Sequence, residues 1–177
     1  MFVLGVDPGL TRCGYCVIET RQEKRHRLPA QKAVALGVIR TSADDALPNR
    51  LCELQDEFRS LMDEFSPDVV VLERVLFQVN VRTAMSVGQA SGIVMAEAAR
   101  RQCQVEQYSP NEVKLAVTGY GAADKIQVQT MVQTLLGLEK PPTPFDAADA
   151  AALALCHIAM APWQYKTEMA IQQTVQP

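Results

Sequence analysis

The stretch Phe2-Val3-Leu4-Gly5-Val6-Asp7-Pro8-Gly9 decides the fold. Its apolar run leading to Asp7 reads as a strand buried on both faces. Pro8 lacks a ladder donor and Gly9 permits a tight turn, so the strand stops there. Asp7 thus sits at the end of a buried strand, where a carboxylate is poorly solvated unless a cation or hydrogen-bond donors meet it. Taken alone, a turn aspartate capping the next backbone amides is the more economical reading. Three further carboxylates in similarly apolar settings shift that balance.

Outward from this strand, Gly14 to Thr20 alternates as a second strand through Tyr15, Val17 and Ile18. A charged turn from Arg21 to Arg27 follows, with His26 a bystander in it, and Ala33 to Ile39 returns as a third strand. The start is therefore three-stranded and antiparallel. Pro48 near a helix start costs little, and Leu51, Leu54, Phe58, Leu61, Met62 and Phe65 keep helical spacing until Ser66-Pro67 breaks it. Asp68-Val69-Val70-Val71-Leu72-Glu73 is then a buried strand reached through a helical crossover, hence parallel to its neighbour. Glu73 repeats the Asp7 pattern, an apolar run ending in a carboxylate. Ligands of open α/β sheets bind at that end of the strands.

A short loop from Arg74 to Val79 carries Leu76 and Phe77, and a long helix runs from about Asn80 to about Arg101. Its small residues Ala84, Gly88, Ser91 and Gly92 could pack on the sheet or on a second subunit. Gln104 to Tyr108 is a fifth strand, and Ser109-Pro110-Asn111-Glu112 has the N-cap, first-turn proline and glutamate of a capping box. That helix carries Lys114 and ends by Gly119; another starts near Asp124-Lys125 and runs to Gly137. After Pro141-Pro142-Thr143-Pro144, the run Phe145-Asp146-Ala147-Ala148-Asp149-Ala150 opens an alanine-rich helix that reaches Ala161. Asp146 and Asp149, three apart, share a face of this otherwise apolar helix. With Thr143 as N-cap, Asp146 would stand at the third helical position as a dipole-complementing cap. Asp149 has no such role. Cys156 and His157 are expected in the core, and residues 163–177 form a loose tail beyond a single domain spanning 1–162.

The bulk properties agree with one globular domain. The chain has 177 residues, 48% hydrophobic and 21% charged. No apolar run approaches the ~20 residues of a membrane span, and the first strand lacks signal-peptide features, so the expected location is cytoplasmic, with no membrane partner. Five scattered cysteines suit a reducing compartment. Cys13 and Cys16 have C-x-x-C spacing, but on a strand they point to opposite faces, which suits neither one metal nor a disulfide. The net charge of −3 does not exclude nucleic acid: if four acids are gathered in one cleft, the remaining surface is slightly positive.

The order strand, strand, strand, helix, strand, helix, strand, helices is that of a ribonuclease H-like α/β domain: a five-stranded mixed sheet with helices on both faces. Val3-Leu4-Gly5-Val6-Asp7-Pro8-Gly9 with Gly14-Tyr15, then Val71-Leu72-Glu73-Arg74-Val75, Gly88-Gln89-Ala90 and Asp146-Ala147-Ala148-Asp149-Ala150 together resemble the RuvC family of Holliday-junction resolvases. The likeness covers roughly residues 1 to 160, in order. It implies a homodimeric endonuclease that nicks two strands of a four-way DNA junction symmetrically, with Asp7, Glu73, Asp146 and Asp149 as catalytic residues and metal ligands. It implies Mg²⁺, two ions per site, with Mn²⁺ able to substitute. It places Lys114 and Lys125 on backbone phosphate, puts Phe77 (with Leu76 before it) where an aromatic enters the junction, and brings in Arg74 and Arg82 as DNA-binding candidates. It also suggests RuvA and RuvB as partners.

The residues are chemically consistent with this. Carboxylates ~4 Å apart repel by about 1 kcal/mol in water and several-fold more near a low-dielectric core. Four together need a cation or must partly protonate. An all-oxygen donor set selects hard ions over zinc. The opening Gly5-Val6-Asp7-Pro8-Gly9 also resembles one lobe of the actin, sugar-kinase and chaperone ATPases, which close two lobes over ATP. A non-catalytic junction-binding module is the third reading, though it has no need of four acids facing DNA phosphate.

Overall fold

The computed structural model describes the backbone of residues 1–21, 30–74 and 81–175, and the side chains of 1–21, 30–74 and 84–161. The strands are β1 (Phe2–Asp7), β2 (Arg12–Arg21), β3 (Ala30–Arg40), β4 (Val69–Glu73) and β5 (Gln104–Tyr108). The helices are α1 (Leu47–Phe65), α2 (Val81–Arg100), α3 (Pro110–Thr118), α4 (Lys125–Leu136) and α5 (Phe145–Val175). The sheet order is β3-β2-β1-β4-β5. β1, β2 and β3 pair antiparallel, whereas β4 is parallel to β1 and β5 to β4. This is the expected mixed sheet, with the crossover through α1 making β4 parallel.

Period-two alternation assigns every strand residue to a layer. On one face Val3, Cys16, Ile18, Val69 and Val71 pack with α3, α4 and the alanine-rich part of α5. On the other, Leu4, Val6, Cys13, Val17, Val70 and Leu72 pack against Leu54, Phe58 and Met62 of α1 and Ala90, Val94 and Ala98 of α2. Cys13 and Cys16 do fall on opposite faces, both as buried free thiols pushed up to about 12 by burial. The parity also carries Asp7, two residues beyond Gly5, and Glu73, two beyond Val71, toward the α5 face.

α5 lies unusually close to the sheet because two strand residues lack a side chain. A Cβ on Gly5 would collide with the Ala150 carbonyl and come within 2.9 Å of the Ala154 nitrogen. One on Gly14 would collide with the Asp146 carbonyl. The two glycines thereby set the height of the helix that carries Asp146 and Asp149.

Three local expectations change. β2 and β3 extend beyond their apolar patterns, because backbone pairing continues to Arg12↔Arg40 at one end and Arg21↔Ala30 at the other. α5 starts at Phe145, after a cis Thr143–Pro144 peptide, and the Ala147 N–H donates to the Pro144 carbonyl at 3.1 Å. Thr143 therefore lies outside the cap, and Asp146 is the second helical residue. Finally, α5 is helical to Val175, past Ala161, where the alanine-rich helix was expected to end. Good helix formers such as Lys166, Glu168, Met169 and Ala170 let a helix propagate after its apolar period has lapsed.

Candidate active site

Asp7 and Glu73 end adjacent parallel strands, with Val6 level with Leu72 one residue earlier. Both reach the face onto which α5 brings its first turns. Asp149 joins them in a cleft of about 340 Å³ that also exposes Lys114 and Lys125 and is walled by Val113, Val128 and Leu153. Asp146, a turn nearer the start of α5, stands on the β2 side, where its Oδ2 lies 3.5 Å from Arg12 Nε.

The two lysines are placed by capped helices. The Ser109 hydroxyl accepts from the Glu112 amide while Glu112 accepts from the Ser109 N–H, which fixes the start of α3 and hence Lys114. Asp124 and Gln127 make the same reciprocal pair at α4, a capping box with glutamine in place of glutamate. Lys125 is the first residue of that helix, and its Nζ donates to Asp149 Oδ2 at 3.5 Å.

The electrostatics show how strongly the acids feel one another. Burial, and then repulsion from Asp149, Glu73 and Asp146, pushes Asp7 up from 3.8 to about 7. Burial and Asp149 raise Glu73, against the opposing pull of Lys125 and Lys114. Burial raises Asp149 as well, with Lys125 opposing it. A carboxylate that retains its proton near neutrality for want of positive charge is well matched to a divalent cation. As they stand, no three His, Cys, Asp or Glu side chains among the described residues close on a single ion position. Lys125 on Asp149 and Arg12 on Asp146 supply the local positive charge instead.

Of the expected DNA-binding residues, Lys114 and Lys125 stand in the cleft. Arg74 is exposed but tethered, its side chain donating to the Gln107 carbonyl at 3.0 Å and its backbone N–H to the Tyr108 carbonyl at 2.8 Å. Leu76 and Phe77 lie outside the described residues, as does the side chain of Arg82. Sequence reasoning missed Arg12, since it precedes the apolar pattern of its strand and belongs to no motif. Its sole signal was position, five residues after Asp7 on the strand returning from the turn.

The profile of the family described as "Crossover junction endodeoxyribonuclease RuvC" matches residues 3–157, a span that holds all four carboxylates and both cleft lysines. The chain belongs to the RuvC family. Curated members of it from Leifsonia xyli and Salinispora arenicola are 49% and 50% identical to the chain. The first alignment covers 88% of this chain and 72% of its relative; the second covers 89% and 87%. The solved RuvC of Thermus thermophilus superposes with a TM-score of 0.83 at 31% identity, covering 93% of this chain and 97% of that one. Its complex with Holliday junction substrate gives 0.84, also at 31% identity, with coverages of 93% and 96%. The yeast mitochondrial Holliday junction resolvase Ydc2, at 15% identity and a TM-score of 0.64, shares the fold alone. The RuvC match bears out the ribonuclease H-like architecture expected from the order of elements.

Proposed function

We propose that this chain is a Holliday-junction resolvase, a hydrolase that cuts phosphodiester bonds of four-way DNA with Asp7, Glu73, Asp146 and Asp149 as its catalytic carboxylates. The observation that carries this reading is the gathering of acids from β1, β4 and α5 at one end of the sheet, where burial first and then the neighbouring acids push Asp7 to about 7. Membership of the family supplies the substrate class.

The donor set fits Mg²⁺, or Mn²⁺ in its place, and four carboxylates are enough for two ions. When bound, such ions supply Lewis acidity toward the scissile phosphate and a water deprotonated near neutral pH. The chain's own residues do the rest. Asp7 and Glu73, on adjacent strand ends, and Asp146 and Asp149, on the helix lying over them, bring four negative charges to one end of the sheet. Lys125 pairs with Asp149 and, with Lys114, lines the cleft where backbone phosphate would be met. Val113, Val128 and Leu153 make the cleft wall apolar, which keeps these charge interactions strong.

Resolution takes two cuts, whereas one chain carries one set of carboxylates; a two-fold dimer supplies both sites with matching symmetry. On α2, Gly88 and Gly92 are open, since a Cβ added at either would meet nothing within 4 Å, so they are free to meet a partner helix. Ser91 is not part of that surface. It is buried, and its hydroxyl donates to the Val87 carbonyl at 2.9 Å.

The test is the panel of amide variants, Asp7→Asn, Glu73→Gln, Asp146→Asn and Asp149→Asn. Each keeps shape while losing charge, so each should abolish Mg²⁺-dependent cleavage of a synthetic four-way junction. Gel-shift affinity in Ca²⁺ should stay within a few-fold of wild type. A fully active Asp149→Asn protein would sink the assignment.

A further inference from the structure

The end of the sheet that carries Asp7 and Glu73 continues, on its other side, into a pair of arginines. β3 runs antiparallel to β2, so Arg40 at the end of β3 and Arg12 at the start of β2 lie directly opposite each other. Taken across the sheet, the row is Arg40, Arg12, Asp7, Glu73, on strands spaced roughly 4.8 Å apart. Asp7 is level with Gly14 and Gly14 with Val38, so the arginine pair stands two residues further out than the carboxylates, about 6–7 Å. The parity that brings Gly14 against α5 directs Arg12 to the same face, where it meets Asp146. Arg40, its opposite partner, shares that direction.

Two like charges directly opposite on a ladder are destabilising; Asp146 answers Arg12, whereas no ion pair among the described residues answers Arg40. Arg12 is 54% exposed, and its contact with Asp146 is a loose 3.5 Å. Arg40 is exposed and forms no ion pair among the described residues, although Asp44 and Asp45 follow it in the next turn. The ridge beneath is built stiffly. Arg50 of α1 donates to the hydroxyls of Thr41 and Thr11 at 3.0 and 2.8 Å, and the buried Thr41 hydroxyl donates to the Leu10 carbonyl at 2.5 Å. Thr11 and Thr41, the residues next to Arg12 and Arg40, are thereby tied together. A repulsive pair held on a braced edge beside a nuclease centre calls for an anionic ligand.

We propose that Arg12 and Arg40 form a second phosphate-contacting edge, holding the DNA strand on the side of the carboxylates away from Lys114 and Lys125. The proposal rests on the resolvase reading. A strand cut at the carboxylates must continue on both sides of them, and each adjoining backbone phosphate carries a charge to be met. The lysines, which share the cleft with Glu73 and Asp149, answer for one side, and the arginine pair for the outer ends of β2 and β3. Arg12 leaves Asp146 for phosphate when DNA is seated, so the acid is unpaired by the same event that brings the substrate.

The experiment measures junction binding in Ca²⁺ over a range of salt for wild type, Arg40→Gln, Arg12→Gln and, as a comparator, Lys114→Ala. A four-way junction with neutral methylphosphonate linkages placed on one or the other side of the cut serves as the second substrate. Arg40→Gln should fold with a thermal midpoint at or slightly above that of wild type, bind roughly three- to tenfold more weakly and lower the salt slope by about one. Neutral linkages on one side of the cut should weaken wild type and Lys114→Ala but leave Arg40→Gln nearly unaffected. An unchanged salt slope in both arginine variants, with Lys114→Ala still losing affinity, overturns the arginine edge and leaves the resolvase reading standing. Failure of wild type to bind or cut the junction removes that reading, and the proposal falls with it.

Discussion

Asp7 shows at the scale of one residue how function is set against stability. Its proton is lost near 3.8 in the unfolded chain and near 7 in the folded one, mainly because of burial and then because of three neighbouring acids. The folded form therefore holds the extra proton between these values, and stability falls as pH rises through that window. Replacing Asp7 by Asn should raise the melting temperature of the metal-free protein at pH 8 by at least about 2 °C, while the gain fades below pH 4. A lower midpoint for the variant at pH 8 would contradict this. Glu97 has the opposite sign. It is 1% exposed and accepts hydrogen bonds from Arg59 and Arg101 at 3.0 Å and from Gln55 at 2.5 Å, which hold it down from 4.5 to about 2. Its contribution is full above pH 4.5 and is lost as pH falls toward 2. Glu97→Gln should therefore cost about 2 kcal/mol at pH 7 in a denaturant titration, and little at pH 2. Glu97 bridges α1 and α2 far from the cleft, so cleavage should persist in this variant.

At the scale of elements, the arrangement depends on how closely α5 approaches the sheet. Gly14→Ala places a methyl group against the Asp146 carbonyl, and the start of α5 must lift to accommodate it. The expected result is a loss of about 1–3 kcal/mol in stability and a fall in cleavage larger than the fall in junction binding, since both aspartates move with the helix. Equal losses of binding and cleavage would argue that the glycine acts on folding alone. Elements of this kind differ in how far they were legible. The strands ending in Asp7 and Glu73 were readable because a continuous apolar run stopped at an acid, and the α3 cap because Ser109, Pro110 and Glu112 form a local signature. The start of α5 was not, since Thr143 is a good cap by composition and a proline in between moved the boundary. Arg12 and Arg40 were invisible for another reason. Their pairing is long-range, and the apolar patterns of β2 and β3 end before either residue is reached. Of the two packings open to the small residues of α2, Ser91 takes the sheet side, because it lies at the border of the arc shared by Ala84, Gly88 and Gly92, where a small rotation of the helix decides between core and surface.

At the scale of the whole molecule, two cuts in one junction call for two copies of the chain. Gly88 and Gly92 are the open positions of α2, so a bulky residue at either is tolerated by the isolated chain and harmful only to close helix pairing. Gly88→Trp should keep the wild-type melting profile at low protein concentration, sediment at a lower mass and shift the products from paired cuts to single nicks. If the variant sediments as wild type does and still makes paired cuts, this face of α2 is not the interface.

The most direct test follows all four strands of one four-way junction through a single binding event. All four strands carry separate labels, and wild-type protein is held in excess in Ca²⁺ before Mg²⁺ is added. The account predicts two nicks at symmetry-related positions, ligatable duplex products and no cleavage with Asp7→Asn under identical conditions. A junction left whole by the wild type, or cut equally well by Asp7→Asn, would contradict it.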